Sequence, residues 1–192
     1  MCTFALPANL DFARFREKLS ALFFPYGTLS EGQLDLLERH YRLLLTWNQR
    51  LNLTRVTDVD DAVRVHYGES LFLATVLPAG PLRIADVGSG AGFPGLPIGV
   101  LRSECQVDLI EGHQRKAVFL REACRGLSNF QVISTRAENI KTQYDWVVSR
   151  AVAEEEVLRL NLAPDVGLLG STGSIEVPFN RGHFIRLFHV KH

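Results

Sequence analysis

The sequence has no surplus of charge of either sign. Its 192 residues carry 21 Lys+Arg against 21 Asp+Glu. A protein that holds nucleic acid by a diffuse basic surface needs excess cations to release counterions, so that class is disfavoured and any nucleic-acid partner must meet a local patch. Dividing the chain at residues 80 and 150 gives net charges of −1, +2 and −1, so no segment is a basic arm. Cysteine is scarce. Cys2, Cys105 and Cys124 are three in number and contain no C-x-x-C pair, which argues against a zinc site or a redox centre and fits idle thiols in a reducing cytosol. No run approaches the roughly 18 apolar residues that span a bilayer, and Met1 to Pro7 lacks the charged start and apolar core of a signal peptide. The expectations are a cytoplasmic, soluble monomer with no membrane and no metal. With 46% hydrophobic and 22% charged residues, the chain is also unlike a disordered one.

The first 80 residues read as a helical cap. Phe12, Phe15, Leu19 and Leu22 fall on one helical face, and Pro25 and Gly27 stop that helix. Ser30-Glu31-Gly32-Gln33 fits a capping box, followed by the stripe Leu34, Leu37, Tyr41 and Leu44. Thr57 or Asp58 caps a third helix through Ala62, Val63 and His66, which continues or restarts at Leu71-Phe72-Leu73. Pro78-Ala79-Gly80-Pro81 then marks the boundary between residues 1–80 and 81–192.

Beyond it the period changes. Residues 82–87, 106–111, 130–134 and 145–149 are short apolar strands, alternating with a helical pattern around Ala117 to Cys124 and a short helix around Ala137 to Ile140. Such alternation predicts βαβ units and a mostly parallel, Rossmann-like α/β sheet. Glu154 to Asn161 can be helical, and residues 173–177 and 183–190 can be antiparallel closing strands around a turn at 178–182.

The most informative passage is Asp86-Val87-Gly88-Ser89-Gly90-Ala91-Gly92-Phe93-Pro94-Gly95. Alternate glycines directly after a strand let the backbone turn sharply and approach a ligand, which predicts a nucleoside-containing ligand there. Gly90, Gly92 and Gly95 also satisfy G-x-G-x-x-G, so the pattern alone leaves NAD open. Glu111 ends the next strand, where it can accept both ribose hydroxyls of either ligand. Asp86 within the strand and Ala137-Glu138 after the third strand favour S-adenosylmethionine.

Five motifs in order resemble the RsmG (GidB) family: residues 47–54 (WNQRLNLT), 86–95 (DVGSGAGFPG), 115–120 (RKAVFL), 136–138 (RAE) and 149–153 (SRAVA). The resemblance implies a class I S-adenosylmethionine-dependent methyltransferase with an N-terminal helical cap, acting on N7 of a guanine in small-subunit (16S) ribosomal RNA, free or in a ribosomal particle. It implies that Gly88 and Phe93 line the methionine and ribose side of the cofactor pocket, that Gly90 also binds the cofactor, that Glu111 takes the ribose, that Ala137 and Glu138 flank adenine, and that Arg150 sits where cofactor and target base meet. Arg150 and Asn52 are the positioning candidates. No proton-transfer residue is expected, because guanine N7 carries a lone pair and no proton. Read without the family, Trp47 completes an apolar helix face, Asn52-Leu53-Thr54 forms a C-terminal turn and His66 is a packing residue. The chain departs from the family after Ala153, where a longer region with a Lys-Gly segment is usual. That departure keeps a cofactor-binding RNA-interaction protein with reduced catalysis as an alternative, and an NAD-dependent oxidoreductase as a third reading.

Overall fold

The computed structural model describes residues 12–190. The N-terminal reading around Met1 to Pro7 and Cys2 lies outside them, while Cys105 and Cys124 are free and buried. The cap comprises α1 (Phe12–Phe23), α2 (Glu31–Leu51), α3 (Val59–Asp61), a π-helical stretch (Ala62–Gly68) and α4 (Glu69–Val76). Each start has a local cause. The Ser30 hydroxyl accepts from the Gln33 N–H while the Gln33 side chain accepts from the Ser30 N–H, the reciprocal capping expected at α2. Asp58, rather than Thr57, caps α3, its carboxylate accepting from the N–H groups of Asp60 and Asp61.

The sheet follows as β1 (Arg83–Val87), β2 (Gln106–Ile110), β3 (Phe130–Ile133), β4 (Trp146–Arg150), β5 (Asp165–Gly170), β6 (Ile175–Glu176) and β7 (Phe184–His189). It is interleaved with α5 (Gly95–Leu101), α6 (Gln114–Ala123), a 3-10 turn (Ala137–Asn139) and α7 (Glu154–Leu160). The strand order is β3-β2-β1-β4-β5-β7-β6. The first five strands are parallel; β7 runs antiparallel to both β5 and β6. The chain moves outward from β1 through β2 and β3, then returns to β4 on the other side of β1. This reversal opens a crevice at the carboxyl ends of β1 and β4, where ligands bind in open α/β sheets.

Strands buried on both faces explain the short continuous apolar runs. Ile84, Val107, Leu109, Trp146 and Val148 face a core shared with the cap, α5 and α6, whereas Ala85, Val87, Val147 and Val166 face a second core with Val157 of α7. Phe15, Leu37, Tyr41 and Tyr67 of the cap belong to the same cluster as Leu96, Phe119 and Ile185. Phe15 stacks on Tyr41 at 4.7 Å and meets Tyr67 edge-on at 4.9 Å. Burying one such ring contributes up to about 3 kcal/mol, so the cap is held to the sheet by packing rather than by its connection.

Two elements depart from the expectation. β5 occupies a central parallel position between β4 and β7, although residues 165–170 carry no strand assignment in the sequence reading. The strand expected over 173–177 shortens to Ile175–Glu176.

Candidate functional site

At the end of β1 the chain turns upward through Gly88, with φ +73°. The N–H groups of Gly88 and Ser89 both donate to the Ile110 carbonyl, at 3.0 and 3.1 Å, tying the loop to the end of β2. A Cβ at Gly88 would lie 2.6 Å from the Val152 side chain, so the loop after β4 packs directly on it. Asp86, fully buried, accepts from the Gly95 N–H at 3.0 Å through Oδ2, while Oδ1 has no partner. Burial pushes its carboxyl up to about 7. A Cβ at Gly95 would fall 2.6 Å from Asp86 Oδ2, so this close return of the loop requires glycine.

Glu111 follows β2 and is held at both oxygens: Oε2 accepts from the Gly90 N–H at 3.0 Å and Oε1 from the His113 N–H at 2.7 Å. A carboxylate has about four acceptor sites. The backbone thus orients Glu111 and leaves acceptor capacity for a diol. Ala137 and Glu138 lie in the 3-10 turn after β3 and line a cavity of about 320 Å³ against Glu156, Arg159 and Leu160 of α7.

Arg150 ends β4. Its Nη1 donates to the Val65 carbonyl at 3.0 Å and to His66 Nδ1 at 2.8 Å. A guanidinium only donates, so His66 Nδ1 is unprotonated and the proton resides on Nε2, which donates to Thr54 Oγ1 at 2.7 Å. Burial, followed by the Arg150 charge, pushes His66 down to about 3, so the ring stays neutral. Asn48 fixes Thr54 in turn, donating to its carbonyl and accepting its N–H, each at 2.9 Å. Burial also lowers the pKa of Arg150, against the pull of Glu69 and Asp86.

Phe93 connects this array to the glycine loop. Its ring is buried, stacks on His66 at 4.7 Å and lies 5.0 Å from the Arg150 guanidinium. The peptide joining it to Pro94 is cis. The ring therefore packs inward among cap residues. Asn52 is the left-handed C-cap of α2, with φ 47°, and is exposed. Trp47 is partly buried, with its ring 5.8 Å from Phe119. The structure thus places Gly88, Gly90, Glu111 and Arg150 at the carboxyl ends of β1, β2 and β4, with the Phe93 ring buried against His66 and Arg150. It puts Ala137 and Glu138 on the flanking cavity and Asn52 at a helix end.

Other residues of the region escape the sequence reading. His40 is buried in α2; its Nε2 donates to the Ala91 carbonyl at 2.9 Å, so Nδ1 accepts from the Tyr67 hydroxyl at 2.8 Å. This latch joins cap to glycine loop, and burial lowers His40 to about 4. Beside Arg150 opens a cavity of about 690 Å³, walled by His66 and Glu69 of the cap, Ala151 to Glu154 after β4, Leu168 to Thr172 at the end of β5, and His183 and Arg186 of the closing hairpin. No sequence motif contains Glu69 or His183.

The family model for rRNA small subunit methyltransferase G (GidB) matches residues 33–173. Curated relatives carry the name ribosomal RNA small subunit methyltransferase G. That of Roseiflexus sp. (strain RS-1) is 40% identical over 66% of this chain and 57% of its own length. That of Carboxydothermus hydrogenoformans is 35% identical over 81% of this chain and 70% of its own. That of Chromobacterium violaceum is 40% identical over 66% of this chain and 62% of its own. The chain therefore spans somewhat under two thirds of the length of most of these relatives. Its matched residues run from the capped start of α2 to the end of the β5 loop, and include the glycine loop, Glu111 and Arg150. The chain belongs to the GidB family, rRNA small subunit methyltransferase G.

Proposed function

We propose that this chain moves a methyl group from S-adenosylmethionine to N7 of a guanine in small-subunit ribosomal RNA. The observation that carries the reading is adjacency. The glycine loop and the oriented Glu111 form a nucleoside-binding edge, and Val152, packed on Gly88, lines with Arg150 a cavity large enough for a base.

The residues fit the donor. Glu111 retains acceptor sites for the ribose hydroxyls, Gly88 and Gly90 allow backbone approach, and Ala137 and Glu138 flank the adenine side. When bound, S-adenosylmethionine supplies an electrophilic sulfonium methyl. Guanine N7 needs no base to attack it; both nitrogens of His66 are engaged, and Arg150 remains a cation. The protein's contribution is alignment of nucleophile and methyl, and exclusion of water from the charged donor. Small-subunit RNA or its ribosomal particle is the partner, met in the cytoplasm by a monomer. Among the described residues no helix is long and apolar enough to cross a membrane.

The test is transfer of labelled methyl to small-subunit RNA, together with calorimetry against S-adenosylhomocysteine and NADH. Label recovered as N7-methylguanosine and selective S-adenosylhomocysteine binding are expected. Tight binding of NADH alone would select the oxidoreductase. The second reading, motivated by the departure from the family pattern after Ala153, is a cofactor-binding RNA-interaction protein with reduced catalysis. Saturable cofactor binding without transfer to any RNA selects that one.

A further inference from the structure

Methylation at N7 does not by itself require anything to read the rest of the base, yet the cavity beside Arg150 holds two groups of opposite hydrogen-bonding capacity with unused positions. Glu69 is only 1% exposed and lines the cavity. Its Oε1 accepts from the Asn180 amide and lies 2.8 Å from His183 Nδ1, whereas Oε2 has no partner among the described residues. Asn180 in turn accepts from Arg64, so a chain of contacts from the cap through the closing hairpin fixes the carboxylate's orientation. Across the cavity, Arg150 commits only Nη1 to Val65 and His66, and its other N–H groups have no partner among the described residues. Neither residue is among those with a buried polar atom left without a partner, so these positions open onto the cavity, where a base can take the place of water.

The Watson–Crick edge of guanine presents an acceptor, O6, beside two donors, N1–H and the 2-amino group. Adenine presents a donor beside an acceptor, and uracil an acceptor on either side of its donor. With N7 held at the methyl, a donor at position 6 and an acceptor at positions 1 and 2 match guanine, whereas adenine would meet both with the opposite polarity; contacts along that edge leave N7 free. Resting on the methyl-transfer reading, we propose that Glu69 selects guanine in this cavity, with Oε2 accepting from N1–H and the 2-amino group and an Arg150 N–H donating to O6. Asn180 and His183 position the carboxylate.

The experiment compares an RNA substrate carrying the methylated guanosine, once mapped, with the same RNA carrying inosine there. Inosine keeps N7, O6 and N1–H and lacks only the 2-amino group. Wild-type protein is expected to lose about tenfold or more in kcat/KM on the inosine substrate. Glu69→Gln should transfer poorly to guanosine RNA, narrow the guanosine-to-inosine ratio to about threefold or less, and leave S-adenosylhomocysteine affinity within about twofold. Equal wild-type transfer to both RNAs overturns the proposal without using any variant. An undiminished ratio in Glu69→Gln overturns it as well, and lost S-adenosylhomocysteine affinity would assign Glu69 to the donor instead. No wild-type transfer to any RNA removes the methyl-transfer reading and this role with it, whereas equal rates remove the role alone.

Discussion

Arg150, marked by a motif, holds the cap by hydrogen bonds, and its proposed role in transfer can be separated from that one. Removing its side chain strands the Val65 carbonyl and His66 Nδ1 in a buried setting, at about 1–3 kcal/mol for each group left unpaired. Arg150→Ala should therefore lower stability and transfer together. Arg150→Lys separates the two: an ammonium can still donate to Val65 and His66 but cannot also present the rest of a guanidinium fork to the cavity. Denaturant melts should show Arg150→Lys closer to wild type than Arg150→Ala, while its kcat/KM falls about tenfold or more. If Arg150→Lys restores both stability and transfer, the open donors contribute nothing. Gly88 needs similar care, since Gly88→Val meets Val152 and a positive φ before it meets any ligand. Its loss of cofactor affinity is expected, but must be read beside its thermal melt.

Asp86 yields a pH prediction with a defined sign. Its folded value near 7 exceeds the ordinary 3.8, so its contribution to stability is fully present below about pH 4 and disappears as pH rises through 7. His40 and His66 act oppositely. Their folded values of about 4 and 3 lie below the ordinary 6.5, so their contribution is present above 6.5 and is lost on acidification. Each group changes stability by at most about 1.4 kcal/mol per pH unit. Between pH 4.5 and 6.5 two histidines oppose one aspartate. Asp86→Asn should accordingly steepen the rise of unfolding free energy with pH across that interval. A slope identical to wild type would show that Asp86 titrates normally in the folded protein.

At the scale of elements, the latch between α2 and the glycine loop is the feature to break. Tyr67→Phe leaves His40 Nδ1 buried without its donor and should cost about 1–2 kcal/mol in urea unfolding. A change below about 0.5 kcal/mol, the range of ordinary surface substitutions, would mean that the latch contributes little to stability. Legibility also varied by element. The capping box, the helix stop at Pro25, the alternation after residue 80 and the glycine loop were readable because each is encoded within a few residues. β5 was not, because Gly167 and Gly170 interrupt its six residues. Gly167 is small for a tertiary reason: a Cβ there would come within 3.3 Å of Leu73 of α4. His40 was hidden within a helical stripe, and Glu69 depends on Asn180, 111 positions later in the chain. Contacts of that separation leave no local period.

For the whole molecule, neutrality and architecture agree. The chain has no basic arm, and two cations beside the crevice hold partners within the protein: Arg150 bonds the cap through Nη1, and Arg186 pairs with Glu154. Such a surface suits recognition of a presented RNA site better than affinity for bulk RNA. The closing hairpin supplies His183 and Arg186 to the wall of the cavity beside Arg150. The most direct test of the account is mass-spectrometric mapping of modified guanines in small-subunit RNA incubated with S-adenosylmethionine, with and without the protein. The account predicts one guanine gaining an N7-methyl group only when the protein is present. An unchanged map, with methyl label absent from RNA, would contradict it.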